Sequence, residues 1–469
     1  MKRMEEMMRE ERLIVKPFED FRLLEYHAFQ EMNHHARAEL TGSIPYVKKE
    51  EYIKAVRHKL WVQVIALSEG VESLIFYGLI EKFEVEVKDM TCRVKINLCS
   101  GTRLMDEKIH IRSFQDISST YRKLLETCSR NYENSAFIMT EGKDRCIDHW
   151  IMQYNETDWE FLKRLAAMNH TALFADCLTG GVKYHFGIPN RRTEDKNLYS
   201  EYTMRYEMKE YWHKKSCGLV IRTEDMASYI WESRDVYKLG DRSIVDGKEQ
   251  YIWKIESRLK GNELYHTYFM KSRAALQVPL FWNDKIKGCS LLGKVTNVKN
   301  EKVQMVFYDD ENQEKSGEYW FSFSTVYSSA DGSGWYCMPE IGDRVRLYFP
   351  ASQESKAYVA SAYHEEGSSL RQHPERKFWR NKDGKEIQLS PERIVLTNND
   401  GTYIELSDND GIEIVSEGSV TIKAKENLHI RSQESSIELS APKQIYLKQG
   451  NTEMNLGGNV SMQGAKIRL

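Results

Sequence analysis

No two of the eight cysteines (Cys92, Cys99, Cys128, Cys146, Cys177, Cys217, Cys289 and Cys337) stand in a C-x-x-C pair. That spacing excludes a zinc knuckle and a thioredoxin-type redox site, and reads as reduced thiols packing as small hydrophobes. Long apolar runs are missing too. The longest, such as "LWVQVIAL" at 60–67, fall far below the roughly 20 residues needed to cross a bilayer. The opening "MKRMEEMMREERLIV" puts acidic residues where a signal peptide needs an apolar core, so synthesis in the cytoplasm without Sec export is expected. It reads as a charged N-terminal segment over residues 1–14. Charge of one sign is also scarce. A formal net charge of −3 over 469 residues argues against a mainly nucleic-acid-binding protein.

Catalytic and ligand motifs are likewise absent. The sequence holds no G-x-S-x-G elbow, no HExxH and no P-loop, and the glycines of "SADGSGWYC" (329–337) do not form G-x-G-x-x-G. His34 and His35 are adjacent, and neighbouring strand residues point to opposite faces, so they read as a surface or hairpin pair rather than as metal ligands. Neither catalytic residue, metal nor cofactor is expected.

What the chain does have is strands. Residues 15–110 alternate or run apolar in "LLEYHAF", "LWVQVIAL", "LIFYGLI", "FEVEV" and "CRVKINL". Two helices follow. "SSTYRKLLETC" gathers Tyr121, Leu124, Leu125 and Cys128 on one face, and "TDWEFLKRLAAM" opens with Thr157 and Glu160 in capping-box spacing. "TALFADCLTGGVKYHFGI" predicts a hairpin turning at Gly180-Gly181. Short strands return between 218 and 259, as in a small barrel. Five more ("GCSLLGKVTNV", "KVQMVFY", "YWFSFSTVY", "DRVRLYF", "KAYVASAY") fill 285–364, the number an OB-fold needs. Within that block Pro339, Gly342 and Asp343 predict a turn, followed by the alternating Val345, Leu347 and Phe349.

A polar bridge over 365–384 leads into a repeat. Apolar pairs flanking one polar residue recur about every eight positions: Ile387 and Leu389, Ile394 and Leu396, Ile404 and Leu406, Ile412 and Ile414, Val420 and Ile422, Leu428 and Ile430, Ile437 and Leu439, Ile445 and Leu447, Met454 and Leu456, Val460 and Met462, and Ile467 and Leu469. In a strand each couplet puts two apolar groups on one side. Coils this short cannot enclose a core alone. Three identical chains wound about one axis would close the stripes into a triangular prism without open edges. The competing arrangement is a thin single-chain solenoid. Burial of the couplets, at roughly 1.5–3 kcal/mol per side chain, represents tens of kcal/mol gross. At about 4.8 Å per strand the rod would measure about 50 Å, comparable with a bilayer and its headgroups.

The order of blocks resembles the valine-glycine repeat (VgrG) spike family of contractile injection systems, and equally the fused baseplate hub and central spike of contractile phage tails. The resemblance runs from about residue 15 to 469 and is carried most by "SGTRLMDEKIHIRSFQDISSTYRKLLE" (100–126), "DWEFLKRLAAMNHTALFADCLTGGVKYHFGIP" (158–189) and "GWYCMPEIGDRVRLYFP" (334–350). It implies a mainly β chain with minor α: a hub of small barrels with two helices (15–280), an OB-fold (285–364), a neck (365–384) and an intertwined triple-stranded β-helix needle (385–469). It further implies a homotrimer docked on an inner tube protein and baseplate components of a tail-like particle, piercing a target envelope, with a small tip-capping protein at the C-terminal end. The rod lacks a regular Val-Gly phrase and the His-x-His apex of some phage spikes, and no effector domain is expected after Leu469. The interval 365–384 is too short for the lysozyme some phage spikes insert there, so the expected role is mechanical. Phe378 and Trp379 are expected to pack at the entrance of the prism. An OB-fold or β-solenoid protein binding nucleic acid or polysaccharide is the alternative, although no stable nucleic-acid partner is expected.

Overall fold

A computed structural model describes residues 12–56, 59–68, 70–191, 201–364, 367–463 and 466. The chain divides into two compact units, residues 1–364 and 365–469.

In the first unit, eleven strands make one large sheet among the described residues. Its order is Arg12–Lys16, Trp61–Ser68, Val71–Lys88, Thr91–Cys99, Arg37–Pro45, Arg22–Glu31, Lys248–Lys260, Glu263–Lys271, Ala227–Ser233 and Thr203–Tyr206, with Arg242–Val245 added on Lys248–Lys260. The strand Arg22–Glu31 joins two halves, pairing with Arg37–Pro45 on one side and with Lys248–Lys260 on the other. Alternation explains the first half: Val62 and Val64, Cys92, Val94, Ile96 and Leu98 all turn inward into one core. The second half is aromatic, with Tyr229, Trp231, Tyr251 and Tyr268 at its centre. Where the sequence divides "LIFYGLI" from "FEVEV", the backbone runs as one 18-residue strand, irregular in register between Ile80 and Lys82.

Four α-helices are present among the described residues: α1 (Lys49–Val56), α2 (Tyr121–Ser129), α3 (Asp158–Met168) and α4 (Met208–Ser216). Helices α2 and α3 are the two expected from sequence. Thr157 caps α3 with its Oγ1 accepting from Glu160 N at 3.1 Å, while Glu160 Oε2 accepts from Thr157 N at 3.1 Å. Helices α1 and α4 were not expected. Each is short and highly charged, and buries only Tyr52, or only Tyr211 and Lys214, so neither writes an apolar stripe of helical period. The expected hairpin forms between Leu173–Ala175 and Lys183–Phe186, with Gly181 at φ +89° in its turn.

The block 290–363 is a five-stranded sheet in the order Phe321–Ser322, Lys302–Phe307, Ser290–Lys299, Arg344–Tyr348, Tyr358–Tyr363. A parallel bridge between Phe323 and Val359 joins its outer strands and closes it into a barrel. Its core is not self-contained. Trp150 and Met152, from the strand leading to α3, lie among Val295, Met305, Phe321 and Leu347.

In the second unit, Lys377–Arg380, Glu386–Ser390, Arg393–Thr397, Tyr403–Ser407 and Gly411–Val415 form an antiparallel meander, and Ile445–Gln449, Thr452–Leu456 and Val460–Gln463 form a second. The sheet thus begins inside the segment read as a neck. Residues 416–444 between the meanders belong to no strand.

Candidate functional site

Registers in the first meander align the couplets into two rows. One runs Trp379, Ile387, Leu396, Ile404, Ile414; the other runs Leu389, Ile394, Leu406, Ile412. Residues two apart in a strand and directly opposite across strands share a face, so both rows lie on the same side. That side is open. Ile412 is 73% exposed, and among the described residues no apolar side chain after Val359 is buried. The opposite face carries polar groups that the chain covers itself: Glu386 and Gln388 are buried, and Glu386 receives Arg376, Arg380 and Asn399 at 3.0–3.2 Å. Apolar outside and polar inside inverts the usual distribution, and so large an exposed apolar face marks an interaction surface.

As neighbours in a strand Phe378 and Trp379 face opposite ways: Trp379 heads the apolar row, while Phe378 pairs with Gln388. In the second meander Ile445 opposes Leu456, Leu447 opposes Met454, and Leu456 opposes Val460. Ile467 and Leu469 lie outside the described residues.

Three couplets, expected to pair with neighbouring copies, lie outside the strands of the single chain. Val420 and Ile422, Leu428 and Ile430, and Ile437 and Leu439 are brought into no sheet. Expected as core positions, they are exposed in the single chain: Ile437 by 52%, Leu439 by 66% and Ile430 by 68%, with Val420, Ile422 and Leu428 between. The physical reason is that one chain of such narrow coils has no second layer to lay over them, so Leu439 and the other five meet solvent wherever no further copy is present. The backbone bends at 417–418, 425–426, 433–435 and 442–443, between successive couplets. No backbone-to-backbone hydrogen bond forms within 416–444 among the described residues. Peptide groups require partners; Gly418 N and Ser435 N donate to Ser416 Oγ and Ser432 Oγ, and the others are left to water or to another chain.

The predicted turn at 339–343 is tied at both ends. Asp343 N donates to Glu340 O (3.0 Å), Glu340 N to Asp343 Oδ2 (2.8 Å), and Gly342, at φ +99°, donates its N–H to Val295 O. Val345, Leu347 and Phe349 follow it into the barrel core.

Two polar clusters escaped the sequence reading. The first joins the barrel to the helical layer. Arg164 of α3, fully buried, donates to Glu156 Oε2 and to Glu354 Oε1, both at 2.7 Å, and to the Met152 carbonyl. Burial opposes the Arg164 charge, but the two carboxylates outweigh it and hold its pKa above the ordinary arginine value. Nearby, Arg112 meets Asp158 at 2.6 Å, and His110 meets Glu311 at 2.7 Å. Only α3's apolar positions signalled contact; the partners of its arginine lie too far along the chain to be read.

The second cluster surrounds His35. The His34–His35 pair lies between the antiparallel strands Arg22–Glu31 and Arg37–Pro45, the hairpin position expected, with His34 exposed and the side chain of His35 7% exposed. Its Nε2 lies 2.8 Å from Asp106, its Nδ1 2.8 Å from Thr102 Oγ1, and Thr102 is 2.9 Å from Ser100 Oγ. Burial lowers the His35 pKa against the pull of Asp106, favouring a neutral ring that donates to the carboxylate. The sequence hydroxyl–imidazole–carboxylate has the order of a nucleophilic triad. Ser100 and Thr102 are both 0% exposed, however, so these hydroxyls meet no substrate and the chain of bonds ties strands together.

No protein-family model matches the sequence, and no curated protein matches it. Solved structures do. An E. coli protein, c3393, described as a component of the type VI secretion system with structural similarity to T4 bacteriophage tail proteins gp27 and gp5, superposes with a TM-score of 0.54 at 13% identity, covering 75% of this chain and 100% of its own. The chain has a VgrG-like fold. A PdpA-VgrG complex in its lidless form gives a TM-score of 0.56 at 9% identity over 87% of this chain and 98% of that one. The half-lidded Francisella PdpA-VgrG complex gives 0.54 at 10% identity, over 87% and 88%. At these identities what is shared is the VgrG-like architecture, mostly β with few helices. No helix among the described residues is long and apolar enough to cross a membrane.

Proposed function

We propose that the chain is the hub-and-spike subunit of a contractile, phage-tail-like injection machine, and that it works as a homotrimer without catalysis. In this reading residues 15–280 form the hub that meets the tube, 285–364 an OB-fold, and the C-terminal segment a needle that begins at Lys377 rather than at residue 385. The observation that carries it is the inverted second unit, whose apolar rows face outward while its polar face is covered by its own chain.

Three copies turned about one axis would bury these rows against each other. The segment 416–444 supports winding rather than mere stacking. Its bends fall between couplets, and its peptide groups make no backbone-to-backbone bonds in their own chain, as expected where each strand pairs with a neighbouring copy. The needle would transmit the thrust of a contracting sheath, and the PdpA-VgrG and secretion-system neighbours lend the tail-machine setting by fold. Inner tube and baseplate proteins would be its standing partners, a small protein would cap its tip, and the target envelope would be met transiently.

Light scattering on the purified chain tests this. A mass near three times 55.0 kDa is expected. A stable, soluble monomer would overturn it and return the exposed rows to a binding role towards another partner.

A further inference from the structure

Between the two halves of the large sheet and the small sheet that contains Lys183–Phe186, the first unit has a cavity of about 30 Å³ whose lining reaches the surface at Val236. Its walls include Ile75, Cys177, His185, Leu239, Ser257 and His266, so three separate layers meet around it. Two imidazole nitrogens in this lining, His185 Nδ1 and His266 Nε2, are buried without a protein partner. His266 is only 4% exposed. Leaving such atoms bare is costly, so native interiors satisfy them, with ordered water where no side chain reaches.

The partners of the other ring nitrogens fix the chemistry. Arg191 Nη2 sits 3.0 Å from His185 Nε2. A guanidinium has only donors, so Nε2 must offer its lone pair and the proton must sit on Nδ1, inside the protein. His266 Nδ1 is 2.7 Å from Ser257 Oγ, which leaves Nε2 to the lining. A water needs about 10–15 Å³ of such space, and the hole therefore has room for one or two.

We infer that this cavity is a hydration site, in which one or two ordered waters accept from His185 Nδ1–H and bond to His266 Nε2, joining the three layers. A metal ion does not fit the same atoms: His185 has no lone pair left to give, and no cluster of metal-binding side chains exists among the described residues. Burial first, then the charge of Arg191, brings His185 down to about 4, with Asp176 opposing; burial brings His266 to about 4 against Asp235. Both rings are thus neutral at pH 7, as the waters require.

The test uses the full chain. A crystal structure at about 2 Å or better should show water density within hydrogen-bonding distance of His185 Nδ1 or His266 Nε2. In histidine-labelled protein at pH 7, nitrogen NMR should give His185 as the neutral Nδ1–H tautomer. An empty cavity at that resolution overturns the inference, and so does an Nε2–H tautomer or a charged His185 ring.

Discussion

Arg164 and Glu354 stand 190 positions apart in the chain and meet at 2.7 Å, with side chains 0% and 1% exposed. Their contact fastens the closed barrel to α3, beside Trp150, whose indole Nε1–H donates to the Glu354 carbonyl at 3.1 Å. Burying both charges is expensive, and removing one is worse than never having placed either. Arg164→Met should therefore cost about 3–5 kcal/mol, because Glu156 and Glu354 would be left buried without their cation. The joint replacement Arg164→Met with Glu354→Leu should recover part of that loss. Denaturant unfolding of the first unit, followed by Trp150 fluorescence, measures both; equal losses would mean that the pair is not coupled.

Ile422→Asp and Ile430→Asp place carboxylates where three copies would converge. Each should abolish the trimer and leave the strand-rich first unit folded, because among the described residues none of the chain's apolar cores lies beyond Val359. Light scattering reads the assembly and circular dichroism reads the fold. A trimeric double variant would remove the proposed winding.

Acid should weaken the first unit in a defined window. His185 and His266 ionise near 4 when folded, against an ordinary value of 6.5, so the unfolded chain takes up their protons first. Stability then declines as the pH falls from about 6.5 towards 4, and these two groups add no further loss below that. Unfolding midpoints at pH 7, 5.5 and 4.5 check the slope. Replacing both histidines with glutamine should reduce it, leaving the share of His35 and His27, whose pKa values burial also lowers.

Gly101 lies against the carbonyl of Gly181, and a Cβ there would fall on that oxygen and on the Trp61 ring. Gly101→Ala should lower stability by about 1–3 kcal/mol through overpacking. Gly458→Ala, with nothing within 4 Å, should leave it unchanged. Thermal unfolding of the two variants side by side makes the comparison.

Much of this architecture was legible because it is periodic. Alternation in "CRVKINL", the T-x-x-E cap of α3 and the couplets of the first meander are local patterns, and each corresponds to a strand, a capped helix or an aligned row. What sequence could not supply was pairing at long range. Nothing local to Arg164 announces Glu354, and nothing local to His35, read as half of a surface or hairpin pair, announces Asp106 and Thr102. Helix α4, with lysines in place of an apolar stripe, is held by Lys214 reaching the Ala275 carbonyl, a contact without periodicity. Leu439 shows the same limit from the other side: its couplet is as regular as that of Ile404, yet within one chain it finds no strand to pair with.

The bends between couplets in 416–444 carry a consequence for how such a rod can vary. Each couplet with its bend is a self-similar step of about eight residues. Removing or adding a whole step keeps every apolar pair in phase, so length can change in quanta while the cross-section stays constant. The turns between couplets absorb small differences, since the couplets at Ile387, Ile394, Ile404 and Ile412 share one face although their spacing is uneven. In the trimeric reading the segment is thus a ruler whose graduations are written into the chain, tolerant of changes in count.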